Sequence, residues 1–333
     1  MAVPTIEASA PTRVDLAGGT LDIWPLYLFH PGAVTVNVAI DRRAWCRVES
    51  GFDGLALESL DTQSRVQGRD LGEVISSGKL PLAAAVLRAL GVEGGLRVVM
   101  RSRVPAGSGL GGSSALAVAL AAAVCRALGL DPGPEELVRL VRDAEARSIG
   151  VPTGVQDYWA AVKGGVLGVE LPPGSPRAER LATDPGKLAE WLLLVDAGVT
   201  RFSGLNNWGV FKARIDGDAS VREALGIIAD VARRVREALL SGRHEEIAAL
   251  IAEEWRARRR LGPGVSTPEI DRIAEAAARQ GGAAKACGAG GGGMVAVWAA
   301  PEGREPLLRA LREAGFETLA CQVDVRGLEV SEV

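Results

Sequence analysis

The sequence predicts a mixed α/β (α+β) chain, and three observations carry that expectation. Segment 96–104 sets Leu96, Val98, Met100, Ser102 and Val104 against Arg97, Arg101 and Arg103, the period of a strand with one wet face. It runs through a glycine-rich loop into an alanine-rich apolar stretch of helical length. The second half of the chain then carries three long segments with helical periodicity.

In chain order, strands are expected at 33–40, 44–49 and 96–104, followed by helices at 114–128 and 134–148, the latter with Pro134 in its first turn. Pro172-Pro-Gly-Ser-Pro176 is the best linker candidate and divides the 333 residues into an N-terminal domain, 1–173, and a C-terminal domain, 174–333. Beyond it come an apolar strand at 191–196 and helices at 221–240, 244–260 and 268–280. The last has strong boundary signals: Ser266 and Glu269 are spaced as a capping box, Pro268 sits in the first turn, and Gly281-Gly282 ends the helix. A strand at 294–299, a short helix at 304–314 and a closing strand around 318–325 complete the chain. There is no internal repeat or low-complexity tail.

Pro105-Ala-Gly-Ser-Gly-Leu-Gly-Gly-Ser-Ser-Ala115 is the most informative stretch. Gly107, Gly109, Gly111 and Gly112 let the backbone turn its N–H groups toward one point, and the following helix adds the positive end of its dipole there. That is a cradle for an anion, most simply a nucleotide triphosphate, held by main chain. Gly107, Gly109 and Gly112 also satisfy the dinucleotide-binding pattern, with Asp131 at about the spacing of a ribose-binding acid, but a strand buried in a doubly wound sheet should not alternate as 96–104 does. The spacing of Gly107 and Gly112 fits a P-loop too, yet Ser113 and Ser114 stand where that loop needs Lys then Ser or Thr. A merely flexible turn fits poorly between a strand and a long apolar helix.

Bulk properties exclude several classes. The net charge is −3 and the pI about 5.7, with no basic run interleaved with aromatics, which leaves no electrostatic footprint for nucleic acid. No leader pattern opens the chain and the longest apolar stretch, 115–124, is too short to cross a bilayer, so a cytoplasmic location without membrane contact is expected. Cys46, Cys125, Cys287 and Cys321 lie singly, which points to reduced, mostly buried thiols. With His30 and His244 the only histidines, a histidine-based triad or metal site lacks material.

Three ordered blocks resemble the GHMP kinases. Ala10-Pro-Thr-Arg-Val-Asp-Leu-Ala-Gly-Gly-Thr-Leu-Asp-Ile23 is similar to that family's first motif, the glycine loop to its second, and Gly288-Ala-Gly-Gly-Gly-Gly293 to its third. The resemblance implies a ribosomal-protein-S5-like N-terminal domain, a ferredoxin-like C-terminal domain, and an ATP-dependent small-molecule kinase, monomeric or homodimeric. Pro105, Gly107, Ser108, Gly109, Leu110, Gly111, Gly112, Ser113 and Ser114 are then the ATP-binding set, and Ser114 with Glu145 the Mg2+ ligands, hard oxygens of the kind Mg2+ prefers. Asp157 is implied as the base at the acceptor hydroxyl, with Arg13 beside it and near the transferring phosphoryl. Gly18, Gly19, Thr20, Asp22, Thr153, Gly154, Arg201, Gly288, Gly290 and Gly291 are implied to contact the acceptor.

From the residues alone, plainer readings stand beside each of these. Asp157 also suits a helix N-cap, and both roles can coexist. Glu145 reads as one more charge on a solvated face among Arg142, Asp143 and Arg147, and Arg13 as a strand-end arginine. Lys285 is either a phosphate contact or a surface residue. Within the family, the Gly-Gly-Thr-x-Asp form at 18–22, Val36-Asn37, the Gly-Leu-Gly-Gly-Ser-Ser form at 109–114 and Val155-Gln-Asp157 resemble the heptose 7-phosphate kinase and fucokinase-like branch. That branch implies a sugar or sugar-phosphate acceptor, with Arg201 holding a phosphate already on it. Leu21 and Trp24 depart from the branch. Two other readings are a non-catalytic sugar sensor on the same fold and a mevalonate-pathway kinase. Retention of Arg13, Ser114, Glu145 and Asp157 together argues against the sensor.

Overall fold

The computed structural model describes residues 5–198 and 204–333. Arg201 lies outside the described residues. The strands are β1 (Thr5–Ala17), β2 (Val34–Ser50), β3 (Leu55–Ser59), β4 (Ser64–Gly68), β5 (Leu96–Ser102), β6 (Val166–Glu170), β7 (Arg177–Arg180), β8 (Leu192–Asp196), β9 (Ala283–Ala286), β10 (Met294–Trp298), β11 (Glu317–Leu319) and β12 (Glu329–Glu332). The helices are α1 (Leu71–Ser76), α2 (Pro81–Ala89), α3 (Gly112–Ala127), α4 (Pro134–Ile149), α5 (Gln156–Lys163), α6 (Pro185–Trp191), α7 (Gly204–Ile215), α8 (Ala219–Leu240), α9 (His244–Arg258), α10 (Pro268–Arg279) and α11 (Arg304–Glu313). Among the described residues no helix is long and apolar enough to cross a membrane.

The first sheet has the order β12-β1-β2-β5-β3-β4, with β6 on the first part of β2 and β7 on β6. The second is antiparallel, in the order β11-β8-β10-β9. Segments 33–40 and 44–49 are one long strand: Val34–Val38 pairs with β6, Ala44–Ser50 pairs with β5, and β1 runs alongside both stretches. Register shifts in β1 at Pro11/Thr12 and Asp15/Ala17 break the simple alternation and leave Ala10 to Thr20 all buried, so that Arg13 and Asp15 both face protein. In β5 the alternation is as expected, with Leu96, Val98 and Met100 buried. β5 runs parallel to β3, a pairing that needs a crossover, and α1 and α2 lie in it.

Three readings of the sequence are corrected. The proline-bearing segment 172–176 is no linker between sheets: it connects β6 to β7, which pair from Leu167↔Arg180 to Glu170↔Arg177 within the first sheet. Proline cannot donate to a ladder, so the prolines fall in the connection. The closing strand is β12, paired with β1, while within 318–325 only Thr318 and Leu319 belong to a strand and Val323 makes a single bridge to Ile40. The α10 cap is Thr267, whose Oγ1 accepts from Ile270 N at 3.4 Å, while Ser266 Oγ bonds Asp271 at 2.7 Å.

Burial explains the chain's apolar runs. α3 is apolar on every side because it is covered on every side, by β1, β2, α2, α4 and α5. Along β8, Leu192 and Leu194 join a core with Val14, Val36, Val38, Val231 and Val235, while Leu193 and Val195 face Ile270, Ile273, Leu307 and Leu311. The second sheet is thus buried on both faces, between α10 and α11 on one side and the first sheet with α8 and α9 on the other. The cap assignment has a direct check: Thr267→Ala should lower stability in denaturant unfolding by about 1 kcal/mol, and Ser266→Ala by clearly less.

Candidate active site

The three motifs converge on one cavity of about 500 Å3, in the range of small-ligand pockets. The glycine loop between β5 and α3 forms its floor, and Pro105, Gly107, Ser108, Gly109, Gly111, Gly112, Ser113 and Ser114 all line it. Leu110 does not; its side chain is in the core and its carbonyl accepts from Arg13 N at 2.9 Å. The third motif is the turn of the β9–β10 hairpin. It is clasped to the loop by Met294 N donating to Ser108 O at 2.8 Å. A Cβ built on Gly109 would lie 2.9 Å from Gly288 N, so the two loops touch backbone to backbone and neither admits a side chain between them. Gly288 lines the cavity, whereas Gly290 and Gly291, expected at the acceptor, do not: they back onto Val265, whose carbonyl accepts from Gly291 N at 2.9 Å.

Asp157 stands in the first turn of α5, past the cap position that Val155 occupies. Arg13 grips its Oδ1 with Nε at 2.7 Å and Nη2 at 2.6 Å, and its Nη1 also donates to Gly109 O. Burial pulls the Arg13 guanidinium down, but Asp157 and Asp15 push it further up and leave it above its ordinary value. The other carboxylate oxygen, Oδ2, approaches Gly111 of the loop, with the Asp157 side chain still 23% exposed, so it opens toward the cavity.

Glu145 is buried on α4, facing inward away from the Arg142–Asp143 pair that takes the solvent side. Ser114 Oγ donates to its Oε2 at 2.8 Å, Tyr158 OH to the same oxygen at 2.7 Å, and Ser113 Oγ to Oε1. Burial raises its pKa, which the three hydroxyls oppose and the Asp157 charge reinforces. Tyr158 also lies 3.1 Å from Thr153 Oγ1, and burial beside Glu145 keeps it protonated. A buried carboxylate held by hydroxyls, with no cationic side chain paired to it among the described residues, is a donor set that fits a hard divalent cation.

Asp22 and Thr20, with Thr153 and Gly154, all expected at the acceptor, line the same cavity. Gly18 and Gly19, also expected there, do not line it: Gly18 packs against Val34 O and Ala232, and Gly19 against the Asp15 carboxylate and Arg258. Asp22 Oδ2 accepts from Val155 N at 2.7 Å and Gln156 N at 3.0 Å, which ties the first motif to the start of α5. Burial lifts its pKa to about 6. Lys285 is neither a phosphate contact nor a surface residue: it is fully buried, with Nζ 2.8 Å from Glu254 Oε2 and 3.2 Å from Asp15 Oδ2. Burying so long a cation requires paired acids, and two are present.

Sequence reasoning missed Tyr158, adjacent to the acid it did find, and Arg258, which lines the cavity from α9. It also missed the apolar end, where Leu80, Pro81, Met100, Leu116 and Leu120 face a polar corner of Ser59, Asp61 and Thr62. A larger hollow of about 1040 Å3 adjoins the cavity, lined by Trp24, Tyr27, Arg142 and Trp159. It shares Val151, Pro152 and Thr153 with the cavity but none of the loop, Glu145, Arg13 or Asp157.

An anion-cradling loop facing a buried acid on one side and an Arg-paired acid on the other defines a phosphoryl-transfer site. The chain matches the family descriptions "GHMP kinases N terminal domain" over residues 79–165 and "GHMP kinases C terminal" over residues 235–317, and it belongs to the GHMP kinase family. It is 28% identical over 328 residues to the D-glycero-alpha-D-manno-heptose 7-phosphate kinase of Campylobacter jejuni, covering 94% of this chain and 95% of that protein. It is 30% identical to a mevalonate kinase of Pyrococcus horikoshii, over 72% of this chain and 70% of that one. Its fold is shared with a D-glycero-D-manno-heptose 1-phosphate kinase from Bacteroides thetaiotaomicron, at a TM-score of 0.78 and 24% identity, covering 98% and 99% of the two chains. As in the rest of the family, ATP is the phosphate donor.

The position of Asp22 generates a pH test. Its pKa of about 6 in the folded chain, against 3.8 for the free group, means that the folded state takes up the proton first as pH falls. Its contribution therefore stabilises the protein as pH drops from 7 to 4, by up to about 3 kcal/mol, opposite to a salt-bridged acid. Melting curves of wild type and Asp22→Asn should show the wild type gaining on the variant over that range; a constant difference would refute the shift.

Proposed function

We propose that the protein transfers the γ-phosphoryl group of ATP to a hydroxyl of a sugar or sugar phosphate of the heptose phosphate class. The observation that carries this is the one cavity in which the glycine loop, Glu145 and the Arg13–Asp157 pair face one another. The full-length likeness to a heptose 7-phosphate kinase supports the acceptor class.

In this reading the loop amides and the N-terminus of α3 hold the triphosphate, and the apolar end beside Leu80, Met100 and Leu120 covers the base. Ser114 and Glu145 hold Mg2+, which when bound neutralises charge on the phosphate oxygens. The acceptor hydroxyl sits against Asp157 Oδ2. As its oxygen forms a bond to the γ-phosphorus, the bond from that phosphorus to the bridging oxygen of ADP breaks, and the hydroxyl proton passes to Asp157. Arg13 fixes the carboxylate from its other oxygen and offsets charge at the transferring group. Asp22 at the acceptor end favours a polyol over a carboxylate-bearing acceptor such as mevalonate, because an acid there repels a second one.

ATP consumption with Mg2+ should be measured against a panel of sugars, sugar 6- and 7-phosphates, and mevalonate compounds. Turnover is expected on a sugar or sugar phosphate, with kcat lowered at least about 100-fold in Asp157→Asn. Undiminished phosphorylation by that variant removes Asp157 from its role, and turnover on mevalonate alone overturns the acceptor class. Glu145→Gln should raise the Mg2+ concentration needed for half-maximal rate while leaving the acceptor KM nearly unchanged.

A further inference from the structure

Beneath the acceptor end lies a group of four buried charges that the mechanism above does not use: Asp15 on β1, Lys285 on β9, and Glu254 and Arg258 on α9. The two cations divide the work unequally. Lys285 makes the closer ion pairs, 2.8 Å to Glu254 and 3.2 Å to Asp15. Arg258 Nη1 is 3.5 Å from each of the same acids. Its better hydrogen bonds go elsewhere, from Nη1 to Gly19 O at 2.9 Å and from Nη2 to Gly288 O at 3.0 Å, with Nη2 also 3.4 Å from Thr20 Oγ1. Nε has no partner. The carboxylates therefore balance the guanidinium's charge, while its fork is spent on backbone of two loops that come from opposite ends of the chain.

One of those loops is strained. Thr20 has φ of 77°, a left-handed conformation that a β-branched residue rarely adopts and that persists only where the surroundings enforce it. Arg258 enforces it from both sides, holding the carbonyl before Thr20 and touching its hydroxyl. Glu254 adds a third tie, its Oε1 accepting from Gly18 N at 3.2 Å. Thr20 and Asp22 line the cavity, and so does Gly288, where it packs against the glycine loop.

We propose that Arg258 is a positioning residue for the acceptor: by bonding Gly19 and Gly288 at once it fixes the spacing of the first and third motifs and holds the Thr20 turn in its binding shape. Its acceptor side rests on the kinase reading above; its effect on the two loops does not.

Arg258→Lys tests this, because it keeps a positive charge between Asp15 and Glu254 but replaces the planar fork by one ammonium that cannot serve both loops. Backbone hydrogen exchange, which needs no substrate, should quicken at least about tenfold in segments 16–24 and 287–293 and stay unchanged in α10 and α11. On the acceptor that the wild type turns over, kcat/KM should fall on the order of 100-fold, with KM for ATP within about twofold. Should the lysine variant not fold, Arg258→Met with Glu254→Gln removes one charge of each sign and is read the same way. Unchanged exchange in the two segments, an ATP KM that rises in step with the acceptor's, or failure of both variants to fold overturns the proposal. Absence of any sugar turnover by the wild type would instead refute the kinase reading and leave the exchange result to stand alone.

Discussion

The backbone-to-backbone contact of the second and third motifs is the constraint on which the rest of the site depends. The glycine loop leaves the first sheet at the end of β5, the third motif is the turn of a hairpin in the second sheet, and they meet at Gly109 and Gly288 with no side chain between them. Met294 N on Ser108 O and Ala197 N on Gly293 O, at 2.8 and 3.1 Å, extend β8 and β10 up to the loop. A rigid hairpin thus buttresses a segment that, as a run of glycines, would otherwise lose much entropy on ordering. Two of the loop's carbonyls are engaged by protein, Gly109 O by the Arg13 guanidinium and Ser108 O by Met294 N.

Charge is handled in two distinct ways around this floor. Asp157 has Arg13; Asp15 and Glu254 have Lys285 and Arg258. Among the described residues Asp22 and Glu145 pair with no cationic side chain and are held by two amides and by three hydroxyls respectively. Those are the acids that burial pushes upward. Hydroxyl donors offset only part of the cost of desolvating a carboxylate, so Glu145 retains a strong preference for a cation. Asp22, by contrast, spends one oxygen on the N-terminus of α5, the helix that carries Asp157, so the first motif and Asp157 share a mechanical link.

Much of this was legible in the sequence, for physical reasons. The alternation of 96–104, the apolar run of α3 and the periodicity of α8 to α10 report which faces are buried, and local pattern carries that information. Glu145 illustrates the limit: its neighbours Arg142 and Asp143 do lie on the solvent side, and only the helix phase relative to α3 turns Glu145 inward. Lys285 sits in a short apolar strand beside glycines, a context that suits a loop cation, and its two acid partners come from β1 and α9, 270 and 31 residues away in sequence. Pro172 to Pro176 looked like a boundary because prolines mark any connection, hairpin loops included. Arg258 carried no signal at all. Its partners Gly19 and Gly288 are backbone carbonyls, and a carbonyl acceptor has no sequence signature.

The buried four-charge group is hard to explain as a stabilising device. Apolar residues of similar volume commonly match or exceed a buried ion pair in stability, since each ion loses several kcal/mol of hydration. What apolar residues cannot do is hold a carbonyl. The turn at Gly18 to Thr20 and the turn at Gly288 each expose main-chain oxygens toward the interior, where an unpaired acceptor is costly. A guanidinium satisfies both from one point, and once an arginine is buried there, acids must follow to balance it. The second cation follows in turn, because Asp15 and Glu254 together carry one charge more than Arg258 neutralises. The ion pairs are thus the consequence of tying two loops together through one guanidinium, and the desolvation they require is the cost of keeping those loops at a fixed distance.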